Sequence, residues 1–553
     1  LRLSSKLRLQ LHTDTLISVA FSVTEIFCIH IEIIFKTLYN IVIIANINRQ
    51  PITRRKMRKI IRRITAAFTG LALAVGSVPL NIIASAQMSP VKEGKHGMLS
   101  AVSDEYIEYI NSDNKNDTEA APSMLDMSYL NASYAQLAEV SDKKFPSSYD
   151  LRDHGMVTPV ENQSPYGTCW SFSSLGSVES QLISQFTDIS LSKKHLVWNS
   201  YENDYMKGLL AGIVSEEQLE APYDIGGTNW LAAATMTMWD GPVYSYRLPY
   251  GEEDTEEHLT GESDFHLTDV YFATGRTYIN DGYYNAIDKT VTEKLVSEYG
   301  ALSIDYCSDD LYYNSETYAT YCYDENAISD HAVLLVGWDD DFSRENFGTD
   351  DSTRPKNNGA WLIKNSWDTS WGDDGYFWIS YDDLSICSAA KFIVDTESNY
   401  SNYYSAGQMW SITASADTFY KDENATKSGY MSNIFTAEGN EQLEAVSFYT
   451  TDVNTQYEIT VYTDTDKADP VSGELAYSGQ VGTEKYPGYH TVELDKAVAL
   501  ESGENFSVVV KLTNPKYEYP LPIEVYLNNY YDSEPEYAND GRVSMYSENG
   551  KEC

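Results

Sequence analysis

The chain has 553 residues, a formal charge of −43 and 42% hydrophobic residues. That length is too great for one core and implies two or three domains plus processing segments, while the apolar content excludes wholesale disorder. Residues 1–86 hold 12 Lys and Arg against 3 Asp and Glu, and the remainder holds 27 against 79, a formal −52. So acidic a body repels nucleic acid and anionic membranes, and neither is expected as a partner.

The first methionine is Met57. Behind it, Arg58, Lys59, Arg62 and Arg63 form a basic start, an uncharged stretch follows, and Ala84-Ser85-Ala86 supplies a small-x-small site. The pattern predicts a secretory signal peptide over 57–86, cut after Ala86. The apolar stretch 15–47 is interrupted by Glu25, Glu32 and Lys36, each costly at a bilayer centre. We read 1–56 as translation of upstream non-coding sequence, and after signal cleavage no integral membrane segment is expected. Residues 87–144 are polar, rich in Ser, Asn, Asp and Ala, and read as a pro-segment or linker.

The informative stretch begins at Phe145. It contains Thr158-Pro159-Val160-Glu161-Asn162-Gln163 and then Cys169-Trp170. After Cys169, the residues Phe172, Leu175, Val178 and Leu182 recur at helical spacing. This predicts a helix that starts at or near Cys169 and buries one face. A cysteine at a helix N-terminus feels the positive end of the helix dipole, which favours the nucleophilic thiolate. Gln163 carries an amide of the kind that donates into an oxyanion hole, with the Cys169 backbone N–H as the second donor. Pro165 and Gly167 predict a turn able to fold Gln163 back.

Further on, His331 opens an apolar run that predicts a buried strand, and Asn365 closes another, followed by Ser366-Trp367. An asparagine carbonyl can accept from an imidazole N–H and orient the ring. His331 can then take the thiol proton and later give it to a leaving amine, with the Trp367 indole shielding the His–Asn contact from water.

The order Gln…Cys-Trp…His…Asn-Ser-Trp, with the run 158–163 and Leu191-Ser192, resembles the papain family of cysteine peptidases across residues 145–395. The resemblance implies an α+β, papain-like two-lobed fold with a helical lobe and a β-barrel-like lobe. It also implies Cys169 as nucleophile, His331 as acid/base, Asn365 as orienting residue and Gln163 as oxyanion donor, acting on a protein or peptide through an acyl-thioester. Neither cofactor nor metal is expected. Gly226-Gly227 occupies the place of the family's Gly-Gly pair, whose backbone pairs with the substrate main chain, and glycines admit that approach. The chain departs from the family at Tyr166 and Asp224, where the family has a bridged pair of cysteines. His331 lies 162 residues after Cys169, beyond the roughly 130–150 of papain relatives. An acidic, Tyr-rich insertion over 240–290 accounts for this and is expected to shape or cover the cleft.

Cys307 and Cys322 flank a Tyr-rich loop, and export would permit a local disulfide between them. Cys387 and Cys553 have no evident partner. Past about residue 400, short alternating strands are predicted over 445–451, 457–462, 490–494, 506–512 and 523–526, with Phe506, Val508, Val510 and Leu512 on one face. Asp469-Pro470 and Ser502-Gly503 mark turns. An all-β sandwich is expected over 400–553, ending abruptly as a truncated reading frame would. The runs 445–452 and 488–491 look like the lectin-like domain appended to some bacterial papain-type peptidases. That resemblance implies a surface glycan or cell-wall ligand as a partner for this region, although a fold alone does not confer sugar binding. The expected function is a secreted or extracellular cysteine peptidase, with association to the cell surface as a further expectation. The alternative is an adhesin or glycan-binding protein with an inactive or ancillary peptidase domain, and a further one is acyl transfer to an amine.

Overall fold

The computed structural model describes residues 144–202, 222–251, 259–273, 276–279, 282–285, 288–324, 327, 329–386, 388–396, 400–405, 411–414, 427–524 and 543–547. The expected leader, signal peptide and most of the pro-segment lie outside these residues, as do Cys28, Cys387 and Cys553. No helix among the described residues is long and apolar enough to cross a membrane.

The first half is an α+β domain. Helices α1 (Cys169–Leu182), α2 (Lys193–Glu202) and α3 (Asn229–Thr237) pack on one another. The fourth, α4 (Lys289–Tyr299), lies against the sheet. The strands are β1 (Ser148–Asp150), β2 (His266–Phe272), β3 (Arg276–Ile279), β4 (Gly282–Asn285), β5 (Leu302–Tyr306), β6 (Tyr313–Asn314), β7 (Ala319–Thr320), β8 (His331–Asp339), β9 (Ala360–Lys364), β10 (Tyr376–Ser380) and β11 (Ser388–Asp395). They run in the order β2-β11-β5-β8-β9-β10-β7-β6, with β1 added to β8 and β3-β4 a separate hairpin. Strands β5, β8 and β9 are apolar runs buried along nearly their whole length, as expected of central strands covered on both faces.

Helix α1 begins at Cys169, as its spacing predicts, but it buries almost every side rather than one face. The periodicity understates this because five serines fill the polar positions. They are small, and several return their hydroxyls to carbonyls: Ser174 to Trp170 O (2.8 Å), Ser177 to Ala301 O (2.8 Å) and Ser180 to Met156 O (2.7 Å). A buried serine so satisfied costs little. The result is a central helix wedged against β5, β8 and β11.

The second half holds β12 (Ser411–Ala414), β13 (Ser428–Thr436), β14 (Glu441–Thr450), β15 (Thr455–Thr463), β16 (Glu474–Glu484), β17 (Gly488–Leu500), β18 (Asn505–Thr513), β19 (Leu521–Glu524) and β20 (Val543–Ser547). A five-stranded sheet has the order β16-β15-β18-β13-β20. Its inward residues Tyr457, Ile459, Val461, Phe506, Val510 and Leu512 share a core with Val446, Phe448, Val492 and Val498 of the β14-β17 pair. This is the expected sandwich, with one difference in its second layer. Strand β17 pairs with β2 of the α+β domain, with Gly488 opposite Tyr271 and His490 opposite Asp269, so one sheet runs through both domains. Gly488 has φ +142°, and a Cβ there would lie 1.8 Å from the Val270 carbonyl oxygen. Only glycine fits that crossing.

Part of the 240–290 insertion therefore does different work from that expected. Strand β2 joins the two domains, whereas the Tyr250 hydroxyl meets Gln163 O and Thr168 Oγ1, next to Cys169.

Candidate active site

Cys169 is the first residue of α1, and His331 is the first of β8. Helix and strand meet there. The backbone N–H of Ala332, next to His331, lies 3.3 Å from the Cys169 Sγ. Both Cys169 and His331 are buried, as is Asn365, which directly follows β9. Because β8 and β9 are antiparallel neighbours, the start of one lies beside the end of the other. That register brings the His331 Nε2 to 2.9 Å from the Asn365 Oδ1. The Trp367 indole stacks on the imidazole, ring centroids 4.5 Å apart and planes 20° from parallel. A hydrogen bond covered by an aromatic ring is screened from water and strengthened.

Gln163 is held against the same segment. Its backbone N–H donates to Ser366 O (2.8 Å), and its side-chain Oε1 accepts from the Ser366 hydroxyl (2.6 Å). Its Nε2 donates a hydrogen bond to Tyr166 O at 3.0 Å, and because a carbonyl only accepts, this contact fixes which end of the amide is nitrogen. A primary amide nitrogen carries two protons. Ser366 also donates its N–H to Asn365 Oδ1 (2.8 Å), so one residue braces both neighbours. The one sequence signal for Ser366 is its place inside Asn365-Ser366-Trp367.

The glycine pair also has structural work. Gly226 has φ +83°, and its carbonyl accepts from the Tyr201 hydroxyl. A Cβ on Gly227 would lie 2.3 Å from the Trp170 ring, so this backbone packs directly on the indole next to Cys169.

Beneath the site runs a buried ionic network that no motif announced. Glu179, on α1, accepts from Lys193 Nζ (2.7 Å), Thr158 Oγ1 (2.8 Å) and Leu191 N (2.8 Å). Lys193 also meets Glu161 at 2.5 Å, and Lys364 donates to Thr158 Oγ1 at 3.1 Å. Burial works to raise the Glu179 carboxyl, but Lys193 and Lys364 outweigh it and hold it below its ordinary value. Burial also draws Lys364 down to about 8 against the pull of Glu179. Nearby, burial pushes Asp305 up to about 7, with Ser388 and His331 opposing.

The disulfide expected between Cys307 and Cys322 is not formed in the structure. Both are buried free thiols, and their mutual interaction lowers Cys307 and raises Cys322. The loop between them is closed instead by the β6-β7 pairing, with Tyr313 opposite Thr320. Among the described residues, no group of three or more His, Cys, Asp or Glu side chains is arranged to hold a metal ion.

The profile of the papain family cysteine protease matches residues 145–397, and that of the lectin like domain matches residues 416–552. Cysteine proteinase 5 of Dictyostelium discoideum is 30% identical over 259 residues, 45% of this chain and 67% of that protein. Cysteine proteinase 1 of the same organism is 28% identical over 57% of this chain and 81% of its own length. Cathepsin L of Sarcophaga peregrina is 29% identical, over 47% and 66% respectively. Among solved structures, the clostridial cysteine protease Cwp84 after propeptide cleavage superposes with a TM-score of 0.59 at 26% identity, covering 73% of this chain and 94% of that one. The cysteine protease and lectin-like domains of Cwp84, described as a surface layer associated protein of Clostridium difficile, give 0.62 at 24% identity over 82% and 93%. The second likeness bears on fold, and it spans both domains. The chain is thus a member of the papain family of cysteine proteases that carries a C-terminal lectin-like domain.

Proposed function

We propose that this protein is an exported peptidase that hydrolyses peptide bonds of proteins or peptides through Cys169, His331 and Asn365. The carrying observation is the 2.9 Å bond between His331 and Asn365 under the Trp367 ring, with Cys169 beside it at a helix start. The helix N-terminus favours thiolate at Cys169, and Asn365 fixes the imidazole plane. The thiolate attacks the scissile carbonyl carbon. The oxygen that becomes negative accepts hydrogen bonds from Gln163 Nε2 and the Cys169 N–H. His331 protonates the leaving amine, the acyl group stays on sulfur, and a water deprotonated by His331 releases the acid. The backbone at Gly226-Gly227 lies beside Trp170 and offers the substrate main chain a close approach.

Export is supported by the basic, apolar and small-x-small order over 57–86. In this reading, residues 87–144 are a pro-segment, and the lectin-like domain holds the enzyme near a glycan or cell-wall polymer.

The test is cleavage of a peptide library by the protein and by its Cys169→Ala variant, with products identified by mass. The proposal expects acid products from the first and none from the second. Equal cleavage by both contradicts it, and amide products on addition of an amine assign acyl transfer instead.

A further inference from the structure

Gln163 is gripped from two sides. Ser366 holds its side chain and N–H, and its carbonyl is held from outside the motif by Tyr250. The Tyr250 hydroxyl donates to Gln163 O at 2.6 Å and lies 2.7 Å from Thr168 Oγ1. A phenol has one proton, so with that proton on Gln163 O, Thr168 is the donor in the second contact. Thr168 immediately precedes Cys169 and makes no side-chain cap to α1. Its hydroxyl serves Tyr250 rather than the helix.

One hydroxyl thus ties the residue carrying the oxyanion amide to the residue ahead of the nucleophile. The turn between them has no regular secondary structure. An oxyanion hole works only if its two donors converge on one point before the reaction starts. Here those donors sit at opposite ends of this turn. The Tyr250 ring is itself held, with its centroid 4.9 Å from Phe172 of α1 and 6.2 Å from Tyr166, both near-perpendicular. Tyr166 in turn packs on Tyr223 at 5.3 Å. Tyr166 and Asp224, the neighbour of Tyr223, are the positions at which a cysteine bridge was to be expected. Burial pushes the Tyr250 phenol up to about 12, so it keeps its proton through neutral and mildly alkaline pH.

We propose that Tyr250 is a positioning residue for the oxyanion side of the site, clamping the turn from Gln163 to Cys169 through its hydroxyl. The inference rests on the reading of Gln163 and Cys169 given under Proposed function.

Tyr250→Phe keeps the ring and removes the clamp, and Thr168→Val removes its partner at nearly constant shape. Each is measured in the full chain for peptide hydrolysis, alone and combined with Gln163→Ala. Alkylation of Cys169 by iodoacetamide, a displacement that builds no oxyanion, is followed in parallel. The expected result is a loss of about tenfold in kcat for either variant, shrinking to less than about twofold in the Gln163→Ala background, with alkylation unchanged within about twofold. Hydrolysis by Tyr250→Phe at the wild-type rate overturns the inference. So does an equal loss with and without Gln163, or a parallel loss of alkylation, since each marks general support of the fold. Should the wild-type chain neither hydrolyse peptides nor alkylate at Cys169, the reading of the site itself falls and takes this inference with it. A working wild type with an unaffected Tyr250→Phe breaks the clamp alone.

Discussion

Beside its apolar core the peptidase domain buries a network of charged and polar groups around the site, whereas the sandwich is organised mainly by alternating apolar faces. Glu179, Lys193, Gln163, His331 and Asn365 are all almost fully enclosed, and each is held by named partners. In the sandwich, Ile459, Val461, Phe506, Val510 and Leu512 face one apolar core, although Asp452, Thr455, His490 and Asn514 are buried in this half too. A buried polar group needs particular partners in particular places, because leaving it unpaired costs about 1–3 kcal/mol and more for a charge. An apolar face needs only another apolar face of the right size. The first region is therefore specified residue by residue, and the second by pattern.

That contrast breaks if substitutions in the two regions have interchangeable effects. The largest effect expected is on rate: Cys169→Ala lowers kcat/KM by about 10⁴-fold or more while leaving the melting temperature nearly unchanged. The next is on stability alone. Phe506→Ala, from a side chain 1% exposed, is expected to lower unfolding free energy by about 3–5 kcal/mol. It should leave kcat on a short peptide within about twofold wherever the protein stays folded, as denaturation curves and kinetics on one sample would show.

Glu179→Gln sharpens the comparison, because it should destabilise in a pH-dependent way that an apolar sandwich substitution such as Phe506→Ala does not share. The Glu179 carboxyl lies below its ordinary value in the folded protein. Its contribution is therefore fully present above the unfolded value of about 4.5 and is lost as pH falls through the folded value. The variant should lose roughly 3–5 kcal/mol at pH 7, and the gap to wild type should close at acid pH in melts run across the range. A gap that stays constant with pH would contradict the assignment. Gln163→Ala is expected to cost about 10²–10³-fold in kcat. Ser366→Ala, which frees the amide to rotate, should cost about tenfold, in kcat rather than KM.

The two regions were also legible to different degrees. Cys169, His331, Asn365 and Gln163 stood out because their order along the chain is unusual, and the β8-β9 register explains why residues 34 positions apart meet. The network around Glu179 did not stand out, since one glutamate among serines on a helix gives no sign of Lys193 or Lys364. In the sandwich, the strands now labelled β14, β15, β17 and β18 were visible from alternation. Strand β16 was not. As an edge strand it leaves Leu475 and Val481 exposed, 59% and 65%, so no buried face marks it. The β17-β2 junction was invisible, because pairing between distant strands leaves no local pattern beyond a glycine such as Gly488.

The most direct test of the central claim is labelling of the protein by an epoxide inhibitor of papain-like enzymes, followed by peptide mapping. An activated thiolate beside His331 predicts a single label at Cys169, lost in His331→Ala, with Cys307 and Cys322 unmodified. A label at Cys307 or Cys322 in place of Cys169, or equal labelling of Cys169 with and without His331, would contradict it.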